Sequence, residues 1–252
     1  MKVQYCSDLH LEFPENRAFI KQHPLIPVGD ILLLAGDILP FALLNKPCDF
    51  FDFVSDNYEK IYWIPGNHEY YQYDMKDVSD PLNEKIKENL FLVDNQSVKI
   101  KDVNFIFSTL WSHIGEQNSW KIQQSVSDFF VIKNNGCNLT ALEFNELHKK
   151  SLTFLETALS EHHDEKNVVV THHVPTLMNY PEQYKSSPIN EAFAVELFEL
   201  ISNANISNWI YGHHHANTRP FNISNTQMLT NQLGYVRHNE NKLFQRDLFF
   251  EI

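Results

Sequence analysis

Five times along this chain a short apolar run of strand length closes on a polar turn carrying carboxylate, amide or imidazole side chains. Met1–Cys6 leads into Asp8-Leu9-His10, and Ile31–Ala35 into Gly36-Asp37. Ile61–Ile64 stops at Pro65-Gly66 and is followed by Asn67-His68-Glu69. Val168–Thr171 runs into His172-His173, and Trp209–Tyr211 into Gly212-His213-His214-His215. Short β-rich runs bounded by turn residues read as buried strands. In open α/β sheets, ligand sites gather outside the carboxyl ends of the strands. The repeated order of strand and then donor therefore predicts a layered α/β fold that delivers these side chains to one edge.

The intervening segments supply helices. Leu142, Leu147, Leu152, Leu155 and Leu159 recur at near-helical steps within Leu139–Leu159, and Thr140 with Glu143 matches a capping box. Glu191–Ile201 reads as a further helix, Val98–Ile100 with Asn104–Ser108 as a hairpin, and Met228–Ile252 as one or two closing strands. The absence of a repeat, a low-complexity tract or a linker predicts a single domain over residues 1–252.

The chemistry of the donors is specific. Mixed Asp, His and Asn ligands suit borderline to hard divalent ions such as Mn²⁺, Fe²⁺ or Zn²⁺, and the lack of cysteine among them argues against a closed structural zinc site. In Asp8-x-His10 and His213-x-His215, side chains two apart share one face of an extended segment and can reach one locus. Asp37 has two oxygens with which to bridge two ions. Glycines at 36, 66 and 212 permit tight turns and close approach of a ligand. Alternation places His172 and His173 on opposite faces, and His172 is favoured because it directly follows the apolar run. By the same argument His214 points away.

Taken in order, Asp-x-His, Gly-Asp, Gly-Asn-His-Glu, His and Gly-His-x-His resemble the calcineurin-like metallophosphoesterase superfamily, over positions 8 to 215. The resemblance implies a four-layer β-sandwich flanked by α-helices in place of a simple open sheet. It also implies hydrolysis of phosphate esters by a binuclear metal centre and a metal-activated water. Asp8, His10 and His215 would hold one ion, Asn67, His172 and His213 the other, and Asp37 would bridge them. Manganese is the expected metal, with iron or zinc as alternatives. His68 would assist the leaving group, with Glu69, where many relatives carry aspartate, orienting it. Thr109-Leu110-Trp111-Ser112 and Ser127-Asp128-Phe129-Phe130 also resemble one cytoplasmic branch of the superfamily, whose members mostly lack an assigned substrate.

Composition bounds the partners. A formal net charge of −12 argues against non-specific nucleic-acid binding, which relies on Lys and Arg neutralising phosphates. The expected partner is a small phosphorylated substrate, a monoester or a diester. No apolar run approaches the length of a membrane span and no secretory h-region opens the chain. Three scattered cysteines (Cys6, Cys48, Cys137) fit a reducing, cytoplasmic setting. Tyr70, Tyr71, Trp111 and Tyr180 read as packing residues. The loops Phe41–Cys48, Tyr70–Pro81, Ile114–Gly136 and Asn179–Asn190 are expected to shape a pocket. A metal-binding scaffold of the same fold without catalysis is the competing reading, and the complete donor set speaks against it.

Overall fold

The strand Ile31–Ala35 shows why the chain is layered. All five of its residues are buried, and they belong alternately to two apolar clusters, Ile31, Leu33 and Ala35 to one and Leu32 and Leu34 to the other. Successive side chains of a strand face opposite ways, so a strand apolar at every position must be covered on both sides.

The computed structural model describes residues 1–252. In chain order the first strands are β1 (Lys2–Cys6), β2 (Ile31–Ala35), β3 (Lys60–Ile64), β4 (Leu82–Lys87), β5 (Leu90–Asp94), β6 (Gln96–Ile100) and β7 (Val103–Ser108). A short hairpin of β8 (Lys133–Asn134) and β9 (Cys137–Asn138) stands apart. The rest are β10 (Lys166–Thr171), β11 (Ile206–Ile210), β12 (Phe221–Ile223), β13 (Thr226–Leu229) and β14 (Phe249–Glu251). One six-stranded sheet has the order β14-β1-β2-β3-β5-β4 and the other β12-β13-β11-β10-β7-β6. The inner strands of each sheet pair in parallel, and antiparallel pairing is confined to the edges.

Helices complete the layers: α1 (Pro14–Gln22), α2 (Asp49–Asn57), α3 (Glu116–Gln123), α4 (Asp128–Val131), α5 (Ala141–Glu161), α6 (Glu182–Lys185) and α7 (Phe198–Asn203). Between the sheets, Val3, Tyr5, Leu33 and Ile64 meet Phe105, Phe107, Val168 and Val170. Outside the first sheet, Leu34 and Trp63 pack with Phe51 and Val54 of α2. Outside the second, Val169 and Trp209 pack with Leu155 and Leu159 of α5 and Ile201 of α7. This is the flanked β-sandwich that the resemblance implies. No helix is long and apolar enough to cross a membrane.

Two local expectations need correction. The capping box forms at Thr140 and Glu143, but the buried stripe of α5 runs through Phe144, His148, Leu155 and Leu159, while Leu142 is 73% exposed. Glu191–Ile201 is not one helix. Val174 exchanges backbone hydrogen bonds with Phe193 and Val195, which holds that stretch extended, and α7 starts only at Phe198. The Val174 pairing lays the Phe193 ring flat against His213, at 4.7 Å between centroids.

Candidate metal centre

The carboxyl ends of both sheets meet at one seam. Asp8 and His10 follow β1, Asp37 follows β2 and Asn67 follows β3; His172 follows β10, and His213 and His215 follow β11. Asp8, His10, Asp37, His213 and His215 all have positive φ, between 46° and 78°. A non-glycine residue in this region costs of order 1–3 kcal/mol and persists only where its surroundings over-determine it. Here they do: Asp8 N–H donates to Gly36 O at 2.9 Å and His10 N–H to Asp37 O at 2.9 Å. Asp8 also accepts from His213 N–H, at 3.1 and 3.2 Å to its two oxygens.

The glycines are required by contact. A Cβ on Gly36 would stand 2.3 Å from His172 Nδ1, and one on Gly66 would stand 2.2 Å from Asp37 Oδ1. Either would occupy space that the cluster itself uses.

Each imidazole at the seam has its outer N–H taken. His10 Nδ1 donates to Glu12 Oε1 at 3.1 Å, His215 Nδ1 to Glu240 Oε2 at 2.7 Å and His172 Nδ1 to Ala35 O at 2.9 Å. His213 Nε2 donates to Ala192 O at 3.3 Å. Ionised carboxylates and carbonyls only accept, so each ring carries a proton on its outer nitrogen and its inner nitrogen is the one left to meet a cation, whether a metal ion or an added proton. Those inner nitrogens converge: His10 Nε2 lies 2.9 Å from His215 Nε2, and His172 Nε2 lies 3.1 Å from His213 Nδ1. Two lone pairs held that close call for a shared cation. Metal-binding histidines characteristically donate their other N–H to a carboxylate or carbonyl in this way.

The remaining donors close the two groups. Asp8 Oδ1 lies 3.4 Å from His215 Nε2, and Asn67 Oδ1 lies 3.3 Å from His172 Nε2. Asp37 stands between the groups, with Oδ2 at 3.6 Å from His10 Nε2 and Oδ1 at 3.4 Å from His172 Nε2. The residues present thus fit a pair of divalent cations, and the clusters Asp8, His10, Asp37, His215 and Asp37, His172, His213 are able to hold them.

Charge follows the same geometry. Burial disfavours the imidazolium of His215, but hydrogen bonds to Asp8 and Glu240 outweigh it and raise the pKa to about 10. Burial likewise opposes charge on His172, and Asp37 and Asp8 overcome it to give about 9. In the metal-free chain these protons take the place of cations. Burial pushes Asp37 upward, but the imidazoles of His172, His68 and His10 hold it well below the usual carboxylate range.

His173 does not join them. Both of its ring nitrogens are buried without a partner, and the ring packs on Trp111, Phe144 and His213 as a wall. His214 turns away to Gln232.

His68 lies beside the cluster, its Nδ1 donating to Glu12 Oε1 at 2.8 Å and its Nε2 3.2 Å from the Tyr235 hydroxyl. Glu69 does not orient it. Its side chain, wholly buried, accepts from the backbone N–H of Asp37 (2.9 Å), Ile38 (2.7 Å), Leu39 (3.3 Å) and Gly66 (2.6 Å). A fifth bond comes from Trp63 Nε1 at 3.1 Å. Placed in the first turn after Asn67, Glu69 points into the sheet edge and ties the β2 and β3 turns together.

Sequence reasoning missed Glu12, Tyr235 and Glu240, and it noted Asp128 only within the Ser127–Phe130 segment without giving it a role. Asp128 accepts from Asn67 Nδ2 at 2.8 Å and from the Tyr71 hydroxyl at 2.8 Å, aiming the amide oxygen of Asn67 at the cluster. Glu12 continues the alternation of Asp8 and His10, and that period was the one available sign of it. Tyr235 and Glu240 lie far along the tail and carry no local pattern.

A cavity of about 390 Å³ opens over Asp37, Asn67, His68, His213 and His215. Tyr71 and Tyr180, expected as packing residues, line it together with Tyr184, Phe193 and Tyr235. The loops at 70–81, 114–136 and 179–190 contribute to its wall, whereas Phe41–Cys48 borders a separate cavity.

Residues 1–217 match the family model described as calcineurin-like phosphoesterase. The chain belongs to this family, whose members typically depend on two metal ions. It is 33% identical to an uncharacterised protein of Acanthamoeba polyphaga mimivirus over 264 residues, covering 95% of this chain and 93% of that one. Its fold resembles that of phosphopantetheinyl hydrolase from Mycobacterium tuberculosis, with a TM-score of 0.70 at 14% identity, over 96% of this chain and 92% of the other.

Proposed function

We propose that the chain is a metal-dependent hydrolase of small phosphate esters, with diesters preferred over monoesters. The observation that carries this reading is the set of four imidazoles, each with its outer N–H occupied and its inner nitrogen turned toward Asp37. Asp8, His10 and His215 would hold one ion, Asn67, His172 and His213 the second, and Asp37 would bridge them. Once bound, such ions supply Lewis-acid activation of water and neutralise charge on the phosphoryl oxygens, and manganese is the metal we expect.

The chain's own groups do the rest. Asp128 orients the Asn67 amide, Glu240 and Ala35 O orient His215 and His172, and His68 is positioned to protonate the departing oxygen. Tyr71, Tyr184 and Phe193 offer a wall for an apolar or aromatic arm of the substrate.

The preference for diesters rests on the charge of that wall. No Lys or Arg lines the cavity, while Asp128 and Glu240 do. Beyond the two cations, a monoester dianion would find only carboxylates and no guanidinium or ammonium to offset its second charge, whereas a diester monoanion asks for less compensation from the same wall.

Manganese-dependent hydrolysis of bis-p-nitrophenyl phosphate beside p-nitrophenyl phosphate, in wild type and Asp37→Asn, tests both parts. Metal-dependent turnover that favours the diester and is abolished in Asp37→Asn is expected. Protein holding two metals yet inert toward both esters would defeat the hydrolase reading, and faster turnover of the monoester would defeat the diester preference alone.

A further inference from the structure

We propose that Glu12 is a positioning residue that couples the metal centre to the leaving-group histidine, an inference that rests on the hydrolase reading above. One oxygen, Glu12 Oε1, accepts from both His10 Nδ1 at 3.1 Å and His68 Nδ1 at 2.8 Å. The two rings stand edge to face, 4.4 Å apart between centroids. A carboxylate oxygen that only accepts forces both rings into the same tautomer, with the proton on Nδ1. His10 Nε2 is thereby left bare toward Asp37 and His215, and His68 Nε2 is aimed at the cavity beside the Tyr235 hydroxyl.

No other carboxylate performs this task. Both oxygens of Glu69 are taken by the backbone of residues 37–39 and 66 and by Trp63. Asp37 reaches His68 only through its backbone N–H, at 2.9 Å. The Glu12 side chain is 14% exposed, and its second oxygen has no partner, so it is not held by a competing ion pair. Tyr71 stacks on His68 at 3.9 Å and fixes the plane of the ring, which leaves Glu12 to fix its rotation and tautomer.

The step it serves balances simply. As water forms the new bond to phosphorus and gives up a proton to solvent, the bond from phosphorus to the leaving oxygen breaks. The electron pair stays on that oxygen, which takes the Nε2 proton of His68 in its doubly protonated imidazolium form and leaves the ring in the neutral Nδ1-protonated tautomer. The Nδ1 proton remains on the ring throughout, held by Glu12, and Nε2 is reprotonated from solvent.

Two readouts on the full chain test this. The first is the ring ¹⁵N spectrum of His10 and His68 in metal-free protein at alkaline pH, in wild type, Glu12→Ala and Glu12→Gln. Both rings should be Nδ1-protonated in wild type and in Glu12→Gln, whose amide oxygen still accepts, and should become tautomer mixtures in Glu12→Ala. The second is manganese-saturated turnover of aryl phosphodiesters whose leaving groups range from p-nitrophenol to phenol. General acid catalysis contributes typically 10²–10⁴-fold, so Glu12→Ala should lose at least about tenfold more on the phenyl than on the p-nitrophenyl ester. Glu12→Gln should fall between, and it carries the test if Glu12→Ala does not fold.

Unchanged tautomers in Glu12→Ala, or an equal loss across all leaving groups, would overturn the proposal. If metal-loaded wild type hydrolyses none of the esters, the hydrolase reading fails. The tautomers then still decide whether Glu12 sets the two rings.

Discussion

Glu69 gives the sharpest test of how this site is held, because the resemblance assigns it to catalysis and the geometry assigns it to the backbone. In Glu69→Gln the side chain keeps its shape but replaces one accepting oxygen with an amide NH₂. With the amide oxygen in the Oε1 position, the bonds from Ile38, Leu39 and Trp63 persist. The NH₂ then faces the N–H groups of Asp37 and Gly66, which had donated to Oε2 at 2.9 and 2.6 Å. Two buried donors lose their acceptor, at about 1–3 kcal/mol each. Against this, burial and the neighbouring Asp37 charge raise the pKa of Glu69 to about 8, so removing its ionisation recovers part of the loss. At 1.36 kcal/mol per unit that recovery is about 3 kcal/mol at pH 7 but under about 1 kcal/mol at pH 5, so at pH 5 the net expectation is destabilisation by about 3 kcal/mol.

Urea unfolding at that pH, followed by circular dichroism, measures it. A chelator must be present, since bound ions would stabilise the native state by mass action and mask the effect. A loss below about 1 kcal/mol, or a Glu69→Gln enzyme of wild-type stability with a defect only on poor leaving groups, would refute the staple and restore Glu69 to His68.

Two further outcomes follow from the same geometry. Gly66→Ala should fold but bind manganese about 10–100-fold more weakly by calorimetry, because the new Cβ would fall 2.2 Å from Asp37 Oδ1 and 2.6 Å from His172 Nε2; wild-type affinity would mean that the β3 turn yields. Asp94 accepts from Thr109 N–H at 2.6 Å, and burial raises its pKa from 3.8 to about 7. The native state therefore keeps the proton longer than the unfolded chain, and stability falls as pH rises from about 4 to 7, by no more than roughly 4 kcal/mol at 1.36 kcal/mol per unit. Asp94→Asn, which keeps the accepting oxygen, should gain on wild type across that window and no further above it. Equal differences in urea midpoint at both ends of the window would count against the shift.

Much of the frame was legible because periodicity and burial speak the same language. Ile31–Ala35 and Val168–Thr171 have strand length and strand chemistry, and each is buried on both faces. The capping box at Thr140 marked the start of α5 to within a residue. Relations between distant residues were not legible. That Glu69 reaches back to residues 37–39, that Tyr235 lies over His68, and that Glu240 backs His215 all depend on how turns from separate strands are stacked. Nor does a sequence announce positive φ at Asp8, His10 and Asp37, since Asp and His tolerate that region without requiring it. Glu191–Ile201 failed for a related reason. Its helical composition was overridden by hydrogen bonds from Val174, nearly twenty residues away.

The second sheet explains why the donors can form a cage and not a row. An open sheet would present its strand-end side chains along one line, so that neighbouring ligands share a direction of approach. Here Asp8, His10, Asp37 and Asn67 come from one sheet and His172, His213 and His215 from the other. The two rows face each other across the seam, so that Gly36 touches His172 and Gly212 touches Asp8. Cations bound there would be gripped from both sides, and the side chains of one sheet would be fixed against the backbone of the other. The positive φ at the turns then has a physical reason. A chain leaving a strand in extended geometry would carry its side chains past the seam, whereas a left-handed residue turns the backbone sharply and drops the donor into it. The strain is local, the packing that holds it comes from two sheets, and the site they share lies at the edge where the carboxyl ends of both converge.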